Sequence, residues 1–306
     1  MHALLLLLAL GMAVPTIVTV APDEDLNVYD EGEGQAVVML PGLSGCAYGF
    51  RKITPLLHEQ GYRTIIIEPL ALGQSARPEG ADYTLTAQAE RMAKVLDGLE
   101  VQQALVVGQG VAFSMALRLA LDRPDLVHAL VSIEGGPAES AATPTVKTGL
   151  KLAKLLIKIV GDKFIRNGAM DALKDSSGDP SWVDKRTTRQ YIKGARRDMD
   201  GTLDAFIAMA SQPEPYAVTP RLGEVNQPVL VLIGGAKHHG ALGEEDIAAL
   251  RDGLPDVTFQ TVTGAGHFIF EEQPETMVEA LVAFNPSINP SMQAVPADTT
   301  SAPSPR

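Results

Sequence analysis

Short apolar runs alternate with amphipathic segments along most of the chain. The runs at 36–40, 62–67, 104–107, 126–133, 228–233 and 257–262 are continuous rather than polar–apolar alternating. Each closes on a loop: Pro41-Gly42, Glu68-Pro69, Gly108, Glu134-Gly135-Gly136, Gly234-Gly235 and Gly264-Ala265-Gly266. Runs of this kind predict strands covered on both faces, as in a parallel sheet. Helical periodicity fills the intervals at 50–60, 87–99, 111–122, 244–252 and 274–284. The alternation predicts a doubly wound, mostly parallel α/β sheet built from right-handed crossovers. Ligands in such sheets sit beyond the carboxyl ends of the strands, so the six loops converge on one candidate face.

The alternation stops from 137 to 223, where helical patterns occur without a strand. That stretch carries 14 Lys and Arg against 10 Asp and Glu, while the whole chain of 306 residues has a net charge of −12. It predicts a helical cap inserted into a core formed by 14–136 and 224–284. Its Trp182, Tyr191, Met199, Phe206 and Met209 are candidates for lining a small apolar ligand, or for the cap's own core. Lys147, Lys151, Lys154 and Lys158 mark a basic amphipathic helix. That helix is expected to lie over the pocket with its lysines in water; contact with an anionic membrane is the alternative.

The ends read differently. Residues 3–14 form an apolar run of 12, about 18 Å as a helix and short of the ~30 Å hydrocarbon core. With Gly11-Met12-Ala13 behind it, residues 1–13 are expected to be a signal peptide and the mature protein exported; a membrane anchor is the alternative. Five prolines among Ser, Thr and Ala predict a disordered tail over 285–306. The acidic balance excludes a general nucleic-acid binder. One cysteine excludes a disulfide framework.

The chemistry is concentrated in the loops. Gly108-Gln109-Gly110-Val111-Ala112 joins a predicted strand to a predicted helix, the setting of the G-x-S-x-G nucleophile elbow. Leu40-Pro41-Gly42-Leu43 has the form of an oxyanion loop with Pro41 in place of His. Glu68-Pro69-Leu70-Ala71-Leu72-Gly73-Gln74-Ser75 follows a D-x-x-G-x-G-x-S pattern, and Tyr83-Thr84-Leu85 precedes an amphipathic helix. Gly264-Ala265-Gly266-His267-Phe268, with Glu271, Glu272 and Pro274, has the form of a catalytic-histidine loop.

Over residues 24–284 the chain thereby resembles the α/β-hydrolase superfamily, in the branch of epoxide hydrolases, haloalkane dehalogenases and esterases. The resemblance implies a nucleophile at position 110, where this chain has Gly. Glycine relieves the positive φ of the elbow, a strain of about 1–3 kcal/mol, and removes the attacking atom. His267 falls on the general base, or else bonds only the loop backbone. No carboxylate follows the strand at 228–233. Glu134, after the preceding strand, is expected to orient His267 as in another branch; satisfying nearby loop amides is its alternative. The amides of Leu43 and Val111 would form the oxyanion hole.

Other residues weigh less. Cys46, Ser44 and Ser114 are weaker candidate nucleophiles. His238-His239 has neither a carboxylate near it in sequence nor an H-x-x-x-H partner, so no metal or cofactor is expected. Three functions follow: a non-hydrolytic protein binding a small apolar molecule, an unconventional hydrolase using water with His267 and Glu134, or an ordinary esterase in which Gly110 is a local departure.

Overall fold

The computed structural model describes residues 14–43, 45–141 and 162–285. The expected signal peptide, Ser44, the lysine-rich helix and the tail from 286 onward lie outside them. The strands are β1 (Thr16–Ala21), β2 (Glu24–Glu31), β3 (Gln35–Leu40), β4 (Tyr62–Glu68), β5 (Ala104–Gln109), β6 (Val127–Ile133), β7 (Val229–Gly234) and β8 (Val257–Val262). They form one sheet in the order β1-β2-β4-β3-β5-β6-β7-β8. From β4 to β8 all neighbours are parallel; β1–β2 and β2–β4 are antiparallel.

The period of two in each strand sorts the core into two layers. Val38, Leu40, Ile65, Val106, Leu130 and Val231 point into one apolar cluster. Their neighbours Val37, Met39, Ile66, Val107, Val131 and Leu232 point into the other. Helices α2 (Leu85–Gly98) and α3 (Ala112–Asp122) cover the first face through Met92, Val95, Leu96, Met115 and Leu119. On the second, α1 (Ile53–Glu59) and α10 (Pro274–Phe284) contribute Ile53, Leu57, Met277, Leu281 and Phe284. Full burial of each such side chain is worth about 1.5–3 kcal/mol of transfer free energy. A continuous apolar strand is thus the sequence form of a sheet packed on both sides.

All six expected strands and five expected helices are present, α1 being preceded by a 3-10 turn over Ala47–Lys52. The hairpin β1–β2 was not anticipated. TIVTVA is exposed along much of its length at the sheet edge and EDLNVYDE is mostly polar, so neither carries the buried-strand pattern. Between β6 and β7 the described helices are α4 (Asp162–Asp175), α5 (Lys185–Tyr191), α6 (Lys193–Arg197) and α7 (Met199–Met209). Carboxylates cap two of them: Asp184 accepts from the Thr187 amide at 2.6 Å and Asp198 from that of Gly201 at 2.9 Å. Between β7 and α10 lie α8 (Glu244–Gly253) and α9 (Ile269–Glu272). Among the described residues no helix is long and apolar enough to cross a membrane.

Candidate functional site

The strand order decides which loops meet. Strand β5 lies between β3 and β6, with β7 and β8 beyond. The loops carrying Leu43, Gly110, Glu134, His238 and His267 therefore leave the carboxyl ends of five successive strands.

Gly110 follows β5 at φ +53°, a left-handed conformation that glycine takes without a Cβ penalty. Its amide donates to the Ile133 carbonyl at 2.8 Å, tying the turn to β6. The tight strand–helix turn needs small neighbours. A Cβ on Gly108 would sit 2.6 Å from the Phe113 amide nitrogen, and one on Gly135 would sit 2.3 Å from the Gly110 carbonyl oxygen. At Gly110 the situation is opposite. A Cβ there would meet only the His267 ring, 3.5 Å from Cε1 and 3.6 Å from Nε2, which is ordinary contact. The elbow thus has room for a side chain and aims it at the imidazole.

His267 follows β8 through Gly264, whose φ is +81°. Its amide donates to the Ser176 carbonyl at 2.8 Å. Its Nδ1 lies 3.1 Å from the Gly240 carbonyl oxygen. A carbonyl only accepts, so Nδ1 carries the proton and Nε2 presents its lone pair toward Gly110. Burial, reinforced by the nearby His238 ring, pushes the His267 imidazole down to about 4. The ring is therefore neutral at pH 7, with a basic nitrogen over an elbow that has no hydroxyl.

Glu134 occupies the end of β6 at φ +52°, rare for a residue with a side chain. Its carboxylate accepts from the Gly234 amide and from the Leu242 amide, the latter at 2.7 Å. It thereby fastens β6 to β7 and to the loop that presents Gly240. Burial raises its carboxyl above the usual range, against the pull of those two amides. Sequence reasoning expected Glu134 to orient His267 directly. The structure brings the two together, but gives His267 Nδ1 to Gly240 and the Glu134 oxygens to amides of the same loop. A backbone carbonyl carries no sequence signal, so Gly240 was missed.

His238 was set aside for want of a carboxylate, and the fold supplies one. Its Nε2 lies 3.6 Å from Glu134 Oε1, and both side chains are wholly buried. One ligand atom from each of Glu134, His238 and His267 falls within 4.8 Å of the others. His239 is exposed, and its amide bonds the Asp175 carbonyl at 2.9 Å.

Among the described residues, neither the Leu43 nor the Val111 amide is taken up by a backbone hydrogen bond. Gln109 holds the first of these loops, its Oε1 accepting from the Gly42 amide at 3.3 Å. Leu43 also lines a cavity of about 210 Å³. Leu72 and Phe268 from the core and Leu173, Tyr191 and Phe206 from the β6–β7 helices complete its apolar wall. Arg77 is its one cation among the described residues. Its three nitrogens donate to Thr202 Oγ1, the Ser75 carbonyl and the Gly73 carbonyl at 2.6–2.9 Å, pinning α7 to the loop after β4. Of the other aromatic and Met candidates, Trp182 packs on Phe268 with centroids 5.2 Å apart, Met209 is buried in the core, and Met199 is partly buried.

Of the alternative nucleophiles, Ser44 lies outside the described residues, and the other two are committed elsewhere. Burial, then the Glu68 carboxylate, pushes the Cys46 thiol far above its ordinary value. Ser114 Oγ donates to the Ala138 carbonyl at 2.7 Å and accepts from Arg118.

Residues 35–274 match the family model described as the α/β hydrolase fold. The chain is 25% identical over 266 residues to the uncharacterized hydrolase YugF of Bacillus subtilis, covering 85% of this chain and 95% of that protein. It is 31% identical over 228 residues to a 2-hydroxy-6-oxononadienedioate/2-hydroxy-6-oxononatrienedioate hydrolase of Paraburkholderia xenovorans, covering 68% and 73%. Among solved structures, Cfl2 from Burkholderia cenocepacia superposes with a TM-score of 0.75 at 22% identity, covering 88% of this chain and 95% of that one. The esterase EaEST from Exiguobacterium antarcticum gives 0.72 at 18%, covering 89% and 99%.

Proposed function

The chain belongs to the α/β-hydrolase fold family, and from that premise we propose that it is a non-hydrolytic member binding a small apolar molecule under a helical cap. One observation carries the reading. Gly110 sits where the fold presents its nucleophile, with its absent Cβ aimed at His267. An acyl-enzyme needs an attacking oxygen or sulfur bonded to the protein at that point. Glycine supplies neither, and Cys46 and Ser114 are engaged elsewhere.

What remains is a receptor. The cavity is mainly apolar, and two of its wall residues adjoin the candidate site: Leu43, whose amide is one of the two free backbone donors, and Phe268, next in sequence to His267. At about 210 Å³ it is smaller than the roughly 300–1,000 Å³ of drug-sized sites. The ligand class is therefore a compact apolar molecule with one carbonyl or hydroxyl. Such a group would accept from the Leu43 and Val111 amides or donate to Nε2. The hydrolase names of the relatives support the ancestry of this pocket, while Gly110 separates it from the serine-dependent reaction.

The neutral ring of His267 favours a second reading. A water in the place of the missing hydroxyl could lose its proton to Nε2 while the two amides stabilise the oxyanion, giving hydrolysis without a covalent intermediate. The Gly240 carbonyl, in the loop that Glu134 fastens through the Leu242 amide, would then stabilise the imidazolium.

A panel of short-chain esters and ketones, assayed for binding by calorimetry and for turnover by product formation, tests the proposal. Binding without turnover supports it. Turnover abolished by His267→Ala moves the assignment to the second reading. Absence of binding across the panel overturns the ligand class.

A further inference from the structure

The structure leaves one electrostatic conflict that protein atoms do not resolve. His238 Nδ1 lies 2.7 Å from the Ala236 carbonyl oxygen. The carbonyl accepts only, so Nδ1 carries a proton, and in the singly protonated ring Nε2 is a bare lone pair. That nitrogen is buried and has no hydrogen-bond partner. It faces Glu134 Oε1 at 3.6 Å, with both side chains shut off from solvent. Two lone pairs facing each other in a dry site repel, and an unpaired buried acceptor costs about 1–3 kcal/mol. A cation between them reverses the sign.

The cation is either a proton or a metal, and the spacing discriminates. A proton shared by imidazole and carboxylate draws N and O to about 2.7–2.9 Å. A tetrahedral zinc with bonds of about 2.0–2.1 Å keeps its ligand atoms roughly 3.4 Å apart. The observed 3.6 Å fits the second. A third donor is present, since a His267 ring nitrogen lies within 4.8 Å of the other two ligand atoms. Gly240 packs against Nδ1 of that ring. Leu242, two residues on, is bound by Glu134. Nδ1 therefore lies on the side of the Gly240–Leu242 loop, and to take a metal it would give up its hydrogen bond to the Gly240 carbonyl.

We propose that Glu134, His238 and His267 form a zinc site, with two imidazoles and one carboxylate as ligands and a fourth position open. The donor set has no thiolate and is that of catalytic zinc sites with two histidines and one glutamate. The Gly234 and Leu242 amides already hold the carboxylate in place, as outer-shell donors do for metal ligands. Binding has a consequence at Gly110. When Nδ1 takes the metal, its proton moves to Nε2, and no proton is lost overall. The nitrogen facing Gly110 then donates where it had accepted.

The site does not depend on the function proposed above, and its test is binding alone. The full-length protein, stripped with chelator and dialysed, is titrated with Zn²⁺ against a chromophoric competitor. Co²⁺ is then substituted and its visible spectrum recorded. The expected result is one equivalent of metal and a tetrahedral-type cobalt spectrum. Affinity should fall about 100-fold or more in His238→Gln and in His267→Gln, and be unchanged in His239→Gln. Each variant is checked for folding by its circular dichroism melt. Failure of the wild type to bind, or equal binding by wild type and His238→Gln, overturns the proposal. So does a loss of similar size in His239→Gln.

Discussion

Serine introduced at position 110 probes the elbow most sharply. The added Cβ would contact only the His267 ring, at 3.5 and 3.6 Å. The rotamer turned toward the ring brings Oγ within the roughly 2.6–3.2 Å reach of a nucleophile–base hydrogen bond. The backbone cost is that of a side chain at φ +53°, about 1–2 kcal/mol. A melting temperature lowered by no more than roughly 6 °C is expected for a chain of this size. The gain can be scaled from a serine protease. There, loss of the nucleophile costs about 2 × 10⁶ in kcat and loss of the acid alone about 3 × 10⁴. A Ser–His pair without a direct carboxylate thus retains roughly 70-fold over no nucleophile. Gly110→Ser should therefore hydrolyse p-nitrophenyl acetate about 50–100-fold faster than wild type. It should also take one fluorophosphonate label on Ser at 110. A folded variant that is neither labelled nor accelerated refutes the geometry assigned to Gly110 and His267.

Other expectations follow from the same coordinates. Gly108→Ala places a Cβ 2.6 Å from backbone atoms of Phe113, and overpacking against atoms that cannot swing away should cost about 2–3 kcal/mol or more, read as a fall in denaturant midpoint. His267 should show the Nδ1–H tautomer in long-range nitrogen–proton spectra of metal-free protein. Its pKa is lowered from the unfolded value of 6.5 to about 4, so unfolded chains bind the proton first. Stability tied to this ring should be full above pH 6.5 and decline as pH falls toward 4; a ring charged at pH 6 contradicts this. The Cys46 thiol should resist a disulfide reagent at pH 8 in the native state and react once the protein is unfolded.

The sequence made legible whatever rests on apolar periodicity and on loop residues at strand ends. Strands β3 to β7 are largely buried on both faces, while β8 closes the sheet as a half-exposed edge, and Val37 and Val38 in adjacent positions announce two cores at once. Gly110 and His267 were legible because each closes a strand in a recognisable turn. The hairpin β1–β2 was not, since an edge strand with one exposed side has no need of a continuous apolar run. The partner of His267 Nδ1 was not legible either. It is a main-chain oxygen at Gly240, placed by a loop conformation at φ +80°. His238 was visible as a histidine, but its carboxylate is brought to it only by the β6–β7 pairing.

The central assertion is that no protein atom acts as an acyl acceptor in this pocket. Intact-mass analysis of the wild-type chain, after incubation with a fluorophosphonate and separately with an activated ester, addresses it. An unmodified mass under native conditions is the expected result. A stoichiometric adduct, mapped by peptide sequencing to a Ser or Cys lining the pocket, would contradict it.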